Sequence, residues 1–239
     1  MIIRITHPLI SCICVTAYRP EFLLKAIIGF DTQKYPNKEL VISYPEDDQE
    51  SRDLVKNVIE ASDLDIVVVE RIPSLSLGMA RNEAIAKSNG DYVCTWDDDD
   101  WYSERRVHHQ YNHMLMVKQK REASILTNVM LYDGPNDQAY LSSTYKIAGS
   151  LLCKKSIILE HPYEDSSTIE DASLIRYLVS SKYLHLIADR PDLYIYNYHG
   201  DNQLDKYYFL FLLRSAKLLD QANGDWVRYT IGRGVSLTP

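Results

Sequence analysis

Four carboxylates in a row, Asp97, Asp98, Asp99 and Asp100, follow an apolar stretch in "GDYVCTWDDDDWY", residues 90–102. Adjacent carboxylates repel, and each raises the cost of ionising the next. A run at the mouth of a buried strand, between Trp96 and Trp101, is suited to holding a cation. In an extended segment side chains alternate, so Asp97 and Asp99 project one way and Asp98 the other. Two carboxylates on one side form a hard-oxygen site for Mg2+ or Mn2+, which could bridge phosphates and offset their developing charge. The competing reading is a solvated acidic turn that caps the helix after Ser103.

Three further stretches carry residue types that do chemistry. In "LSLGMARNEAIAKSNG", Gly78 permits close approach of the chain. Arg81 and Asn82 are expected in the first turn of a helix, where free N–H groups favour an anion. Arg81 could also grip a diphosphate bidentately, or pair with Glu70 or Asp91 on the surface. In "IEDASLIRYL", Glu170 and Asp171 stand at an expected helix start. They either complement the dipole or supply a general base for an attacking hydroxyl. In "YNYHGDN", His199 follows a strand and could complete a metal site, though a hydrogen-bonded loop histidine is the commoner outcome. His109 and His113 have the (i, i+4) spacing of a helical metal pair, but Gln110 stands where a zincin motif has Glu, so they read as helix-surface residues.

The elements that position these residues follow from periodicity. Strands are expected at 9–16, 39–44, 65–70 and 91–96, and helices at 21–30, 50–61 and 78–87. Strands alternating with helices imply a mostly parallel sheet covered on both faces, with ligand beyond the carboxyl ends of the strands. "TAYRP" after the first strand and the aspartate run after the fourth both fall at that edge. The second half is mixed. Helices are expected at 104–119, 154–159, 170–180 and 205–219. Strands are expected at 123–132 and 138–147, paired across "DGPND", and at 183–188 and 192–198. The last stretch, from Asn223 on, carries no clear pattern.

Bulk composition narrows the class. The chain has 239 residues, 46% of them hydrophobic, enough for one large domain with a real core. A net charge of −7 and no long Lys/Arg run argue against nucleic acid as a partner. Four cysteines do not make a disulfide framework; Cys12 and Cys14 suit one buried strand face. The apolar run near the N-terminus is too short for a signal peptide, and no stretch reaches transmembrane length, so a cytoplasmic chain is expected. The Tyr207, Tyr208, Phe209 and Leu210 run reads as core, with a membrane-surface or partner face as the alternative. No GxGxxG follows the first strand, and GxxxxGK[ST] and GxSxG are absent.

Taken in order, these pieces resemble the family 2 glycosyltransferases of the GT-A fold, across residues 11–202. The family's PTYNRPE-like opening stands here as "VTAYRPEFLLKAI". Its GxxxARNxGI and FLDSDDWY signatures stand as "GMARNEAIAKSNGDYVCTWDDDDWY". The resemblance implies an α/β, Rossmann-like, mostly parallel sheet with helices on both faces and a mixed C-terminal half. It implies one domain over 1–239: a nucleotide-binding half (1–102), an acceptor-binding half (103–203) and a C-terminal helix and tail (204–239).

Residue by residue, it implies that Asp97 and Asp99 are a DXD pair, the first near the ribose and the second on a Mn2+ or Mg2+ ion. Asp98 falls where the family often has a small residue. Thr16 and Tyr18 would line the base pocket, with Arg19 and Trp101 beside the donor. Arg81 would face the nucleotide, Asp171 act as catalytic base with Glu170 in support, and His199 join the metal or diphosphate. Where the family has VDDGSTD after its second strand, this chain has "VISYPEDDQES". Either Tyr44 stacks on the base, or Asp47 or Asp48 reaches it from a shifted loop.

The implied activity is inverting transfer from a nucleotide-diphosphate sugar to an acceptor hydroxyl in surface-glycan synthesis. A UDP-sugar is the first expectation, with dTDP and GDP as alternatives. The acceptor would be a sugar or glycolipid, with peripheral association at the inner face of the membrane left open. A metal-dependent nucleotidyltransferase and a non-catalytic sugar-nucleotide or glycan-binding protein are the rival readings.

Overall fold

The computed structural model describes residues 7–117, 119, 121–202 and 206–232. Its first half runs β1 (Ile10–Val15), α1 (Pro20–Asp31), β2 (Lys38–Pro45), α2 (Gln49–Ala61), β3 (Ile66–Arg71), α3 (Leu77–Lys87), β4 (Tyr92–Thr95) and β5 (Trp101–Tyr102). Each boundary has a local cause. Pro20 starts α1 at a position where a missing N–H costs nothing. Asp48 caps α2 by accepting the Ser51 N–H, and Ser76 caps α3 by accepting the Met79 N–H.

The second half runs α4 (Arg106–Met116), β6 (Ala123–Leu126), β7 (Met130–Asp133), β8 (Gln138–Leu141), β9 (Leu152–Lys154), α5 (Lys155–Glu160), α6 (Ala172–Ser180), β10 (Leu184–Ile187), β11 (Tyr194–Tyr198), α7 (Lys206–Leu213), β12 (Lys217–Leu218) and α8 (Gln221–Gly232). Short 3-10 turns stand at Ala148–Ser150 and Pro191–Leu193.

Seven strands form the main sheet in the order β10-β6-β9-β4-β1-β2-β3. All neighbours are parallel except around β9, which is antiparallel to β4 and β6. Three strands from the second half therefore extend the sheet begun by the first. A second sheet, β12-β8-β7-β11-β5, stands beside it. The "DGPND" turn does join β7 to β8 as a hairpin, with Asp133 opposite Gln138.

Both faces of the main sheet are covered. Ile10, Cys12 and Cys14 of β1 pack with Leu23, Phe30 and Val55 of α1 and α2, and with Val107 and Tyr111 of α4. Ile13 points the other way, among Ala84, Ile85, Ile158, Leu174 and Leu178 of α3, α5 and α6. This is the strict alternation of a strand buried on both sides. Truncating a core residue such as Leu23, which is wholly buried, to Ala would cost about 2–5 kcal/mol.

Several expected elements differ. The strand at 123–132 is two strands, β6 and β7, which belong to different sheets because the chain crosses between them at Thr127–Val129. The strand at 138–147 ends at Leu141. The helix at 205–219 ends at Leu213, and Lys217–Leu218 instead pair with β8; its expected first residue, Asp205, lies outside the described residues. The unplaced C-terminal stretch contains most of α8, whose Trp226 packs edge-on against Trp101.

Candidate active site

Because β1, β2, β3 and β4 run parallel, their carboxyl ends share one edge. Thr16, Pro45, Arg71 and the acidic run all leave the sheet there. Two adjoining cavities open at this edge. One, about 120 Å3, is lined by the four aspartates, Glu170, Asp171, Arg19 and Arg81. The other, about 280 Å3, is lined by Thr16, Tyr18, Pro45, Arg71, Leu75 and Asp201. Arg19 borders both.

The aspartates do not alternate as expected. The chain turns after β4, so Asp98, Asp99 and Asp100 sit in a bend rather than an extended strand. Each carboxylate consequently has its own partners. Asp97 accepts from Arg81 Nη2 at 2.8 Å. Asp98 accepts from the Thr16 hydroxyl at 2.6 Å and from Arg19 Nη2 at 2.5 Å. Asp99 accepts from Arg19 Nη1 at 3.2 Å and lies 3.4 Å from His199 Nε2. Asp100 accepts from the Tyr194 hydroxyl and the Asn197 N–H. Asp98 and Asp99 thus share a cation instead of facing apart.

Burial dominates the electrostatics. It pushes the Asp98 carboxyl up to about 7, with neighbouring Asp99 adding to the shift. Burial likewise raises Asp97, Asp100, Glu170 and Asp171. At Asp99 burial also pushes upward, but His199 and Arg19 outweigh it and the carboxyl lies below its usual range. Six carboxylates and two guanidinium groups line the smaller cavity. That surplus of buried negative charge is the condition a divalent cation relieves, so the donor set fits Mn2+ or Mg2+. Asp99 and His199 stand 3.4 Å apart, and the Asp97 carboxylate lines the same cavity as Asp99.

Arg81 acts differently from its expected role. α3 begins at Leu77, so Arg81 lies in its second turn, beyond the free N–H groups. It pairs with neither Glu70 nor Asp91; Glu70 is held by Arg52. Instead it bridges Asp97 and Glu170. Burial opposes its charge, but Asp97 and Glu170 hold its proton more firmly than usual. Gly78 makes this bridge possible: the loop holding Glu164 and Glu170 lies directly on α3 where Gly78 has no side chain.

Glu170 and Asp171 are separated by their partners. Glu170 is buried against Arg81. Asp171 precedes α6, lines the same cavity and makes no ion pair among the described residues.

The larger cavity shows what the altered loop after β2 does. Tyr44 is 2% exposed, and its hydroxyl donates to Glu70, so it offers no face for stacking on a base. Asp48 is also buried; it accepts the Tyr18 N–H at 2.5 Å while capping α2. Tyr18 has a left-handed backbone (φ 53°), which a non-glycine residue keeps only when held. Asp48 supplies that hold, and Asp47 accepts from the Tyr18 hydroxyl at 2.7 Å. Trp101 is not brought to either cavity. It faces a third one, about 490 Å3, on the α1 side of the acidic turn.

Two residues at this edge escaped the sequence reading. Arg71 ends β3, is buried, and donates to the Thr16 carbonyl at 2.9 Å. Its Nε has no partner among the described residues. The position of a lone arginine at the carboxyl end of an apolar strand was the available signal. Arg106 is fully buried behind the acidic turn, 4.0 Å from the Tyr102 ring centroid, and donates to the Gly149 carbonyl. Gly149 in turn lies so close to Asp97 that a Cβ would stand 3.0 Å from its carboxylate. Nothing in the local sequence distinguishes Arg106 from a surface helix residue.

Solved structures share this architecture. Mannosyltransferase PcManGT from Pyrobaculum calidifontis, in complex with GDP-Man and Mn2+, is 14% identical with a TM-score of 0.64, over 96% of this chain and 74% of that one. TarS 1-349 from S. aureus, in complex with UDP-GlcNAc, is 13% identical with a TM-score of 0.64, over 96% and 73%. Glucosyl-3-phosphoglycerate synthase from Mycobacterium tuberculosis, with Mn2+, UDP and glucosyl-3-phosphoglycerate, is 13% identical with a TM-score of 0.55, over 76% and 70%. No curated relative matches the sequence. The fold is that of the GT-A glycosyltransferases. The family model described as glycosyl transferase family 2 matches residues 11–183, and the chain belongs to that family. Among the described residues no helix is long and apolar enough to cross a membrane.

Proposed function

We propose that this chain transfers a sugar from a nucleotide-diphosphate donor, a UDP-sugar first among them, to an acceptor hydroxyl with inversion at the anomeric carbon. The observation that carries the reading is the excess of buried carboxylate at the sheet edge, with Asp171 beside it in no ion pair among the described residues. Family membership supports the reaction class.

The donor's base would enter the cavity beside Thr16, Tyr18 and Arg71, and its diphosphate would lie toward Arg19 and Asp99. A divalent ion held by Asp99 and His199, with Asp97 beside it, would supply charge stabilisation for the departing diphosphate. Arg81 holds Asp97 and Glu170 in register, which fixes the wall of the cavity where the sugar would sit. Asp171 accepts the proton of the acceptor hydroxyl as that oxygen bonds to the anomeric carbon. The bond from that carbon to the diphosphate oxygen breaks, and its electron pair leaves with the diphosphate. Attack opposite the leaving group inverts the centre. Burial raises the Asp171 pKa, which makes its carboxylate a stronger base than one in water.

A role in surface-polysaccharide synthesis, with a sugar or glycolipid acceptor at the inner face of the membrane, follows from family habit and belongs to the same proposal. Calorimetric titration with UDP, dTDP, GDP and their sugars, with and without Mn2+, tests it. Metal-dependent binding of a nucleoside diphosphate supports transfer. Binding of the sugar nucleotide without turnover on any acceptor would favour a non-catalytic binding protein.

A further inference from the structure

A second group of metal-ligating side chains stands away from the acidic edge. His109 and His113 are one turn apart on α4, and Asp189 lies in the loop that leads from β10 to β11. One donor atom from each lies within 4.8 Å of the other two. The two imidazoles are tilted against each other with centroids 4.2 Å apart. His185 of β10 stacks beyond His113 at 6.0 Å. Three imidazoles and a carboxylate thus converge where α4 packs on the edge strand β10.

One atom in this group has no use in the metal-free protein. Arg190 Nη1 lies 3.3 Å from His109 Nδ1. As a donor, Arg190 requires the lone pair there, which puts the ring proton of neutral His109 on Nε2. His109 Nε2 is buried and has no hydrogen-bond partner among the described residues. A buried polar atom left without a partner is unfavourable, and a ligand there would satisfy it.

We infer that His109, His113 and Asp189 form a binding site for a transition-metal ion of the Zn2+ class, separate from the acidic sheet edge. Two imidazole nitrogens and one carboxylate oxygen form a borderline donor set that suits Zn2+, unlike the all-oxygen preference of Mg2+ or Ca2+. Tetrahedral bonds of about 2.1 Å place ligand atoms about 3.4 Å apart. The present spread, up to 4.8 Å, is wider than that, so the side chains would draw inward on binding. Ligation through Nε2 removes the orphan. The proton then sits on Nδ1, and the Arg190 contact opens, leaving Arg190 on its two bonds to Asp192. The charge of Arg190 opposes the ion, while Asp189 and Asp192 offset it. Water would complete the coordination.

Such an ion would fasten α4 to the loop that leads into β11. That strand contributes Tyr194 and Asn197 to the hold on Asp100, and His199 follows it. The site would therefore act as a clamp on one wall of the active site, without touching donor or acceptor.

The test uses the full chain, purified without a polyhistidine tag, stripped with a chelator and titrated with Zn2+ alone. The wild type should bind one tight equivalent. His109→Ala and His113→Ala should each weaken it at least tenfold, and Asp189→Asn, on an exposed loop where loss of folding is not at issue, should weaken it several-fold. Asp99→Asn should leave this equivalent in place, which separates it from the acidic edge. Co2+ in place of Zn2+ should give visible tetrahedral absorption bands that disappear in the histidine variants. Absence of a tight equivalent in the wild type overturns the site, as does wild-type affinity in Asp189→Asn and in a folded His109→Ala, His113→Ala double variant.

Discussion

Gly78 and Glu164 approach so closely that a methyl group on Gly78 would stand 1.9 Å from the Glu164 carbonyl oxygen and 2.9 Å from the Glu170 Cβ. The Gly78 N–H also donates to the Ser166 carbonyl at 2.9 Å, so the loop lies on the first turn of α3. This contact fixes where Glu170 and Asp171 stand relative to Arg81. Gly78→Ala should push the loop off α3, destabilise the protein by about 1–3 kcal/mol and lower turnover more than donor affinity. Urea unfolding and donor calorimetry on the same variant check both halves.

Asp171→Asn should reduce turnover by about 10²–10⁴-fold while donor affinity stays near that of wild type. The amide keeps the shape but cannot accept the acceptor's proton. Release of nucleoside diphosphate in the presence of acceptor, read beside calorimetric donor binding, separates the two. Intact turnover would remove Asp171 from the role of base.

Arg71→Met should weaken nucleotide binding at least tenfold, equally with and without Mn2+, because Arg71 lines the cavity proposed for the base and not the acidic one. A loss seen only with metal present would place Arg71 in the wrong cavity. The variant also leaves the Thr16 carbonyl without its donor, so its fold needs checking by circular dichroism.

The order of strands and helices at the parallel edge was readable because the signal, the period of the apolar residues, is local. The fate of second-half strands was not. β6 and β7 read as one apolar run, and only the crossing between two sheets splits them. Asp97, Asp99 and Arg81 were singled out by motif and position, yet the partners of each depend on contacts 16 to 100 residues apart in sequence. Tyr44 looked available for a base because its position at the end of β2 was legible, whereas its burial came from packing across the sheet. Arg106 carries no pattern, since a buried arginine and a surface one look alike on a helix.

The metal-free protein should lose stability as pH rises from about 4 to about 7. Asp98 titrates near 7 when folded, against an ordinary value of about 3.9, so the folded state binds more protons across that window. Its contribution is largest at low pH and is lost as the pH passes through the folded pKa. Asp99, shifted the other way, contributes fully above its ordinary value and loses that contribution only as the pH falls below it. In chelator, the drop in melting temperature between pH 5 and pH 7.5 should be smaller in Asp98→Asn than in wild type. An equal or larger drop in the variant would contradict this assignment.

Asp99→Asn should weaken Mn2+ binding at least tenfold and abolish the metal-dependent part of nucleotide affinity, because it removes the carboxylate nearest His199. The most direct test of the account is anomalous diffraction at the manganese edge from crystals soaked with Mn2+ and UDP. The account predicts a peak within bonding distance of the Asp99 carboxylate and of the diphosphate. Nucleotide bound at the sheet edge with no metal beside Asp99, or an edge left to solvent at saturating concentrations of both, would contradict it.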